Sequence, residues 1–302
     1  LAGDLGGGVR IGGKGSSWRD VCMKKKTVVI VSIVLVLSFL ALVTYGFIRS
    51  VEGPVGVGEP EVSEVPFIDS DIDLSTGISL DVWDTLPPTE VELVYQLTVL
   101  PWPARGLLPP IAVKAFHNGK DIYLYVSWED GTEDILSGTN TFPDACAIMF
   151  PLKNRTKPSS IIMGFKDMVG IWHWKADLDG RFWSDEKPGS PTPYADYHYP
   201  FEEEEVLVVS RPALTSAVRD LVATGIGTSV VKENQTVQGR GQYDNGRWHV
   251  VFKRRIEPAD SEPDATFVSG ETSYYAFAVW NGAKGDRGGR KYISDWVTLE
   301  VK

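Results

Sequence analysis

From about residue 80 onward the chain alternates short apolar runs with turn residues. VELVYQLTV (91–99), IAVKAFH (111–117), DIYLYVSW (121–128), ACAIMF (145–150), VGIWHWKA (169–176), RWHVVFKR (247–254), SYYAFAVW (273–280) and DWVTLEV (295–301) are rich in β-branched and aromatic residues, as strands are. Within 247–254, a period of two puts Trp248, Val250 and Phe252 on one face and His249, Val251 and Lys253 on the other. Two Asn-Gly pairs, at 118–119 and 245–246, fall between such runs, where a tight hairpin needs positive φ. Only 211–223 (RPALTSAVRDLVA) reads as helical, and weakly. The pattern predicts a mainly β domain over 80–302, an antiparallel β-sandwich. Residues 177–236 interrupt the rhythm with polar, Pro-containing and aromatic sequence, and read as an insertion at one end of the sandwich.

The pattern before residue 80 is different. Residues 27–48, TVVIVSIVLVLSFLALVTYGFI, hold neither a charge nor a proline. As a helix they would reach roughly 33 Å, slightly more than the hydrocarbon core of a bilayer. Lys24, Lys25 and Lys26 precede the run and Arg49 follows it. That asymmetry predicts a single transmembrane helix at the cell membrane, with the C-terminal domain extracytoplasmic. A cleaved signal peptide is the competing reading. It is weakened by the length of the run and by YGFIRS, which offers no small-residue cleavage site. Residues 1–26 read as a short cytoplasmic tail or, with translation beginning at Met23, as a misassigned start. Residues 49–79 mix Pro, Gly and acids without helical periodicity and read as an extended linker.

Composition then narrows the chemistry. The net charge of −10 argues against nucleic acid as a partner, because no basic surface is available to neutralise phosphates. With two cysteines, Cys22 and Cys146, and no paired CxxC, covalent c-type haem, zinc ribbons and thiolate-held iron–sulfur clusters are excluded. GxSxG, HExxH, P-loop and Rossmann signatures are missing. His117, His173, His198 and His249 show no metal-ligand spacing. His117 sits beside a turn, which predicts exposure, and His173 and His249 alternate with tryptophans as strand residues do.

Six segments taken in order carry a resemblance. They are WED (128–130), FPDACAIMFP (142–151), IIMG (161–164), IWHWKAD (171–177), GRGQYDNGRWHVVFKR (239–254) and AVWNGAKGDRGGRKYISDWVTLEV (278–301). Together they resemble the haem b-binding subunit of ethylbenzene dehydrogenase and related type II enzymes of the dimethyl sulfoxide reductase family. The resemblance implies a β-sandwich holding one non-covalent haem b between an axial methionine and an axial lysine. It also implies a non-catalytic, electron-transfer role, with an iron–sulfur subunit and a molybdenum catalytic subunit as partners. Carried over by motif, the methionine is Met163, in the Met-Gly pair before the Trp-x-Trp segment. The lysine is Lys291, before the closing strand, with Lys284 as its neighbouring competitor. The anchor and the 177–236 segment depart from the family pattern.

The physical chemistry of these residues is compatible with that implication. Thioether sulfur favours reduced iron. A lysine must lose its proton to bind iron, at a cost of roughly 4.6 kcal/mol at pH 7 that a metal bond and an apolar pocket can offset. Trp172 and Trp174 are candidates to wall a porphyrin, and Arg254, Arg255 and Arg290 to meet its propionates. Each residue also has an ordinary reading. Met163 fills a core gap, Lys291 is a solvated surface lysine, and the tryptophans are core. The alternative function is a cell-surface β-sandwich module that presents some of its ten tryptophans to carbohydrate.

Overall fold

The computed structural model describes residues 62–96, 108–152, 167–184, 214–257 and 263–302, and the backbone of 193–195 and 208–210. In chain order the strands begin with β1 (Val62–Val65), β2 (Thr89–Val91), β3 (Val94–Tyr95), β4 (Ile111–His117), β5 (Asp121–Glu129) and β6 (Ala145–Pro151). They continue with β7 (Val169–Lys175), β8 (Pro193–Ala195), β9 (Val208–Ser210), β10 (Val218–Ala223) and β11 (Val230–Val231). The last are β12 (Gln238–Asp244), β13 (Arg247–Arg255), β14 (Thr272–Trp280), β15 (Tyr292–Ile293) and β16 (Val297–Val301). Two short helices, α1 (Asp81–Asp84) and α2 (Ala176–Phe182), lie between strands.

Alternation assembles these strands into a sandwich. One sheet runs β12-β13-β5-β4-β2, and the other β1-β16-β14-β6-β7-β10-β11, with β15 on β14 and β3 on β15. All pairings within them are antiparallel except β1 with β16. Ile122, Leu124, Val126 and Trp128 of β5 meet Cys146, Ile148 and Phe150 of β6 and Tyr275, Phe277 and Val279 of β14 in one buried core. Both hairpins form at their Asn-Gly pairs. Asn245 (φ 49°) and Gly246 (φ 78°) both adopt the left-handed backbone that a two-residue loop needs.

The structure departs from the sequence-based expectations in four places. Residues 62–79 are not a free linker. β1 lies parallel to β16, and Ile72 and Leu74 cover Phe116, Tyr123 and Tyr125 on the outer face of the five-stranded sheet. The compact unit accordingly spans Glu59–Lys302. The weak helical pattern near 211–223 yields to strand β10, whose Val218 enters the core while Arg219 faces away from it. Pairing with β7 outweighs local propensity there, so this part of the 177–236 segment extends the main sheet. His117 is buried, with Nε2 2.9 Å from the Lys302 carbonyl, because the C-terminus folds over the hairpin. Finally, the 91–99 run divides, at Val91 and again after Tyr95, into the short strands β2 and β3.

Among the described residues no helix is long and apolar enough to cross a membrane. The apolar run at 27–48 lies outside them.

Candidate functional site

The two sheets differ in what covers their outer faces. Residues 68–86 cover the five-stranded sheet. The nine-stranded sheet instead carries a cavity of about 510 Å3, within the size range of small-molecule and cofactor sites. Its floor comes from alternate positions of three strands. These are Ala147 and Met149 on β6, Ala276 and Ala278 on β14, and Ile171 on β7. The alanines stand side by side, since Ala278 pairs with Ala147. Small residues in adjacent strands leave a flat apolar surface that a broad planar ligand can approach.

Lys291 lies in this cavity, at the start of β15. Its Nζ stands 4.7 Å from the centre of the Trp280 ring, a cation–π contact, and Trp280 is held by a 3.0 Å hydrogen bond from Nε1 to the Gly288 carbonyl. Among the described residues no carboxylate lines the cavity. The residue as a whole is only partly buried, but the protein crowds its amine, and desolvation pushes its pKa down to about 8. Deprotonation at pH 7 then costs about 1 kcal/mol rather than nearly 5. An amine in this state is available as a metal ligand. Lys284 is exposed and borders a different, polar hollow with Asp130, Thr132 and Arg247, so the two lysines are clearly separated.

Of the other expected site residues, Met163 lies outside the described residues. Trp172 and Trp174 are fully buried between the sheets and do not reach the cavity. The period of two turns them inward and turns Ile171 and His173 outward, so the structure gives the tryptophans a core position and no contact with this cavity. Arg254 is also buried in the core, paired with Asp264 and stacked over Trp172 and Phe267.

His173, a strand residue by its sequence pattern, lines the cavity. Its ring stacks on Trp280 at 4.8 Å, and its Nε2 is buried without a hydrogen-bond partner. Burial pushes its pKa down to about 3, so the imidazole is neutral. A signal for this site was present in the sequence. ACAIM (145–149) and YAFAV (275–279) place alanine at every second position, opposite the large core residues.

The loop carrying Lys291 is tied to both sheets by buried polar groups. Asp144 Oδ2 accepts hydrogen bonds from the Asp134 amide (2.8 Å) and Trp248 Nε1 (2.9 Å), and Oδ1 accepts from the Gly282 amide (2.8 Å). Asn281 Nδ2 donates to both oxygens of Asp130, at 2.8 and 2.9 Å. Gly282 has no room for a side chain, since a Cβ there would stand 1.9 Å from the Phe142 carbonyl.

The family described as ethylbenzene dehydrogenase matches residues 80–196 and 212–292. A protein of Haloferax mediterranei named as a candidate haem subunit of a respiratory nitrate reductase is 26% identical over 81% of this chain and 75% of its own length. The gamma subunit of chlorate reductase from Ideonella dechloratans is 23% identical over 72% of this chain and 76% of its own. Among solved structures, a family 9 carbohydrate-binding module from Caldicellulosiruptor kristjanssonii overlaps 80% of this chain and 96% of its own at 9% identity. Its TM-score is 0.42, which carries no argument about the site.

Proposed function

The chain belongs to the ethylbenzene dehydrogenase family, and on that premise we propose that it is the haem b-carrying, non-catalytic electron-transfer subunit of a molybdenum oxidoreductase complex. The observation that carries the proposal is the Lys291 amine, which stands in an apolar cavity floored by alanines, with no carboxylate among the described lining residues. The residues present fit the group. A flat floor suits a porphyrin, the Lys291 amine gives up its proton at small cost, and the orphaned His173 Nε2 awaits a polar partner. When bound, haem b supplies one-electron exchange between ferric and ferrous iron. The chain's own residues orient it and exclude water. Lys291 and, by its motif, Met163 are the residues that would hold the haem iron. Trp280 contacts the lysine amine through its ring, and the bond from the Gly282 amide to Asp144 holds the loop that leads to Lys291.

In this reading an iron–sulfur subunit and a molybdenum subunit are the electron partners. Relatives named as haem and gamma subunits support a multi-subunit assembly. The 27–48 run anchors the protein to the cell membrane by a single span, with the domain outside the cytoplasm, as the lysines at 24–26 favour.

Filling the cavity tests this reading. Ala278→Phe puts a large ring on the floor, on the sheet face turned away from the core between the sheets. Haemin binding, followed by absorption, should weaken at least about 100-fold, while the thermal unfolding midpoint of the apoprotein moves by only a few degrees. Undiminished haemin binding by this variant would place the haem elsewhere.

A further inference from the structure

The end of the cavity next to β7 and β10 carries chemistry that an axial lysine does not explain. His173 and Arg219 are directly opposed partners in the β7–β10 pairing, so their side chains leave the sheet on the same face. That face is the cavity face, because His173 and Leu221, two residues beyond Arg219, both line the cavity. Arg219 is exposed and has no carboxylate partner among the described residues. Lys175, two residues along from His173, adds a cation whose charge is partly met by Asp177 at 3.5 Å. The positive charges of Lys175, Lys291 and Arg219 all bear on the His173 ring. The apolar floor therefore ends at a half-buried imidazole whose Nε2 is unpartnered, with the exposed Arg219 beside it on the same face, and none of the described lining residues is a carboxylate.

We propose that Arg219 and His173 form a carboxylate clamp that holds the propionate groups of the haem. This inference rests on the reading of the cavity as a haem site and adds to it the end at which the carboxylates lie. A guanidinium offers a carboxylate two parallel N–H donors, and a neutral imidazole offers one N–H from the wall. The arginines expected from sequence include Arg254, which cannot take this role because Asp264 and the core hold it.

The test compares haemin with its dimethyl ester, which has the same ring and iron but no carboxylates. Both are titrated into the full chain and into the Arg219→Gln and His173→Phe variants, the latter keeping a ring beside Trp280. The parent chain should bind haemin about tenfold or more tightly than the ester. Arg219→Gln should weaken haemin by about that factor, leave the ester unchanged and so erase the preference. His173→Phe should lose part of it, with the spectrum of the bound iron unaltered in both variants. Equal affinity of the parent for the two porphyrins would overturn the clamp alone, as would equal weakening of both by Arg219→Gln. If neither porphyrin bound the parent, the haem reading would fall and the clamp with it.

Discussion

Replacing Lys291 by leucine is expected to abolish six-coordinate haem while making the haem-free protein more stable. Leucine keeps an apolar side chain at this position and removes the one lysine among the described lining residues. Without the amine, one axial position is open or water-filled, and the reduced protein should bind carbon monoxide readily where the parent does not. Lys284→Ala should change neither property, because Lys284 borders the other hollow. The stability gain follows from linkage. The folded-state pKa of Lys291, about 8, lies below the ordinary value of 10.5. Between those two values the unfolded chain binds more protons, so stability rises with pH across that window, and the penalty is fully present below pH 8. Removing the group should stabilise the apoprotein by about 1–3 kcal/mol at neutral pH, an advantage that shrinks as pH rises past 10. Denaturant melts of both proteins at pH 7 and pH 10 check the sign. A parent that bound carbon monoxide as readily as the variant would remove Lys291 from the iron.

Asp144→Ala is expected to cost the fold about 3–5 kcal/mol. The buried N–H donors of Gly282 and Trp248 and the part-buried amide of Asp134 would lose their acceptor together, at about 1–3 kcal/mol for each buried donor and less for the third. An opposing effect is also present. Burial pushes the Asp144 carboxyl up to about 6, so the charged group is itself costly at pH 7, and its removal relieves part of the loss. The orphaned donors outweigh that relief. A loss of this size is a large fraction of the whole stability of a domain. Unfolding followed by circular dichroism should show an early, broadened transition, and the surviving folded protein should hold haem poorly, because the Gly282 turn leads into the Lys291 loop. An unfolding midpoint equal to the parent's would mean that the Asp144 bonds contribute nothing net.

These two residues mark what could be read from the chain and what could not. The long strands β4, β5, β6, β13 and β14 follow directly from alternation, since one face must be apolar when two sheets pack. Alternation also separates Trp172 and Trp174 from Ile171 and His173, but it cannot say which face meets the core and which a cavity. That choice depends on the opposing sheet. β1 was hidden because four residues of ordinary polarity pair with β16, at the far end of the described chain. β10 was hidden because its helix-like spacing is overridden by pairing with β7. The motifs behind the family resemblance serve architecture as much as chemistry. Asp130 of WED, Asp144 of FPDA and Asn281-Gly282 of WNGA converge on one polar knot that fixes the loop before Lys291. Lys291 is legible in its motif, whereas its place in a cavity with no carboxylate among the described lining residues depends on the fold.

The central claim is that this cavity holds one haem through Lys291. An absorption titration of the purified full chain with haemin, oxidised and then reduced, tests it most directly when run beside Lys291→Leu. The account predicts saturation at one haem per chain with a low-spin, six-coordinate spectrum that Lys291→Leu converts to an open site. No saturable change in the parent, or the same six-coordinate spectrum in both proteins, would contradict it.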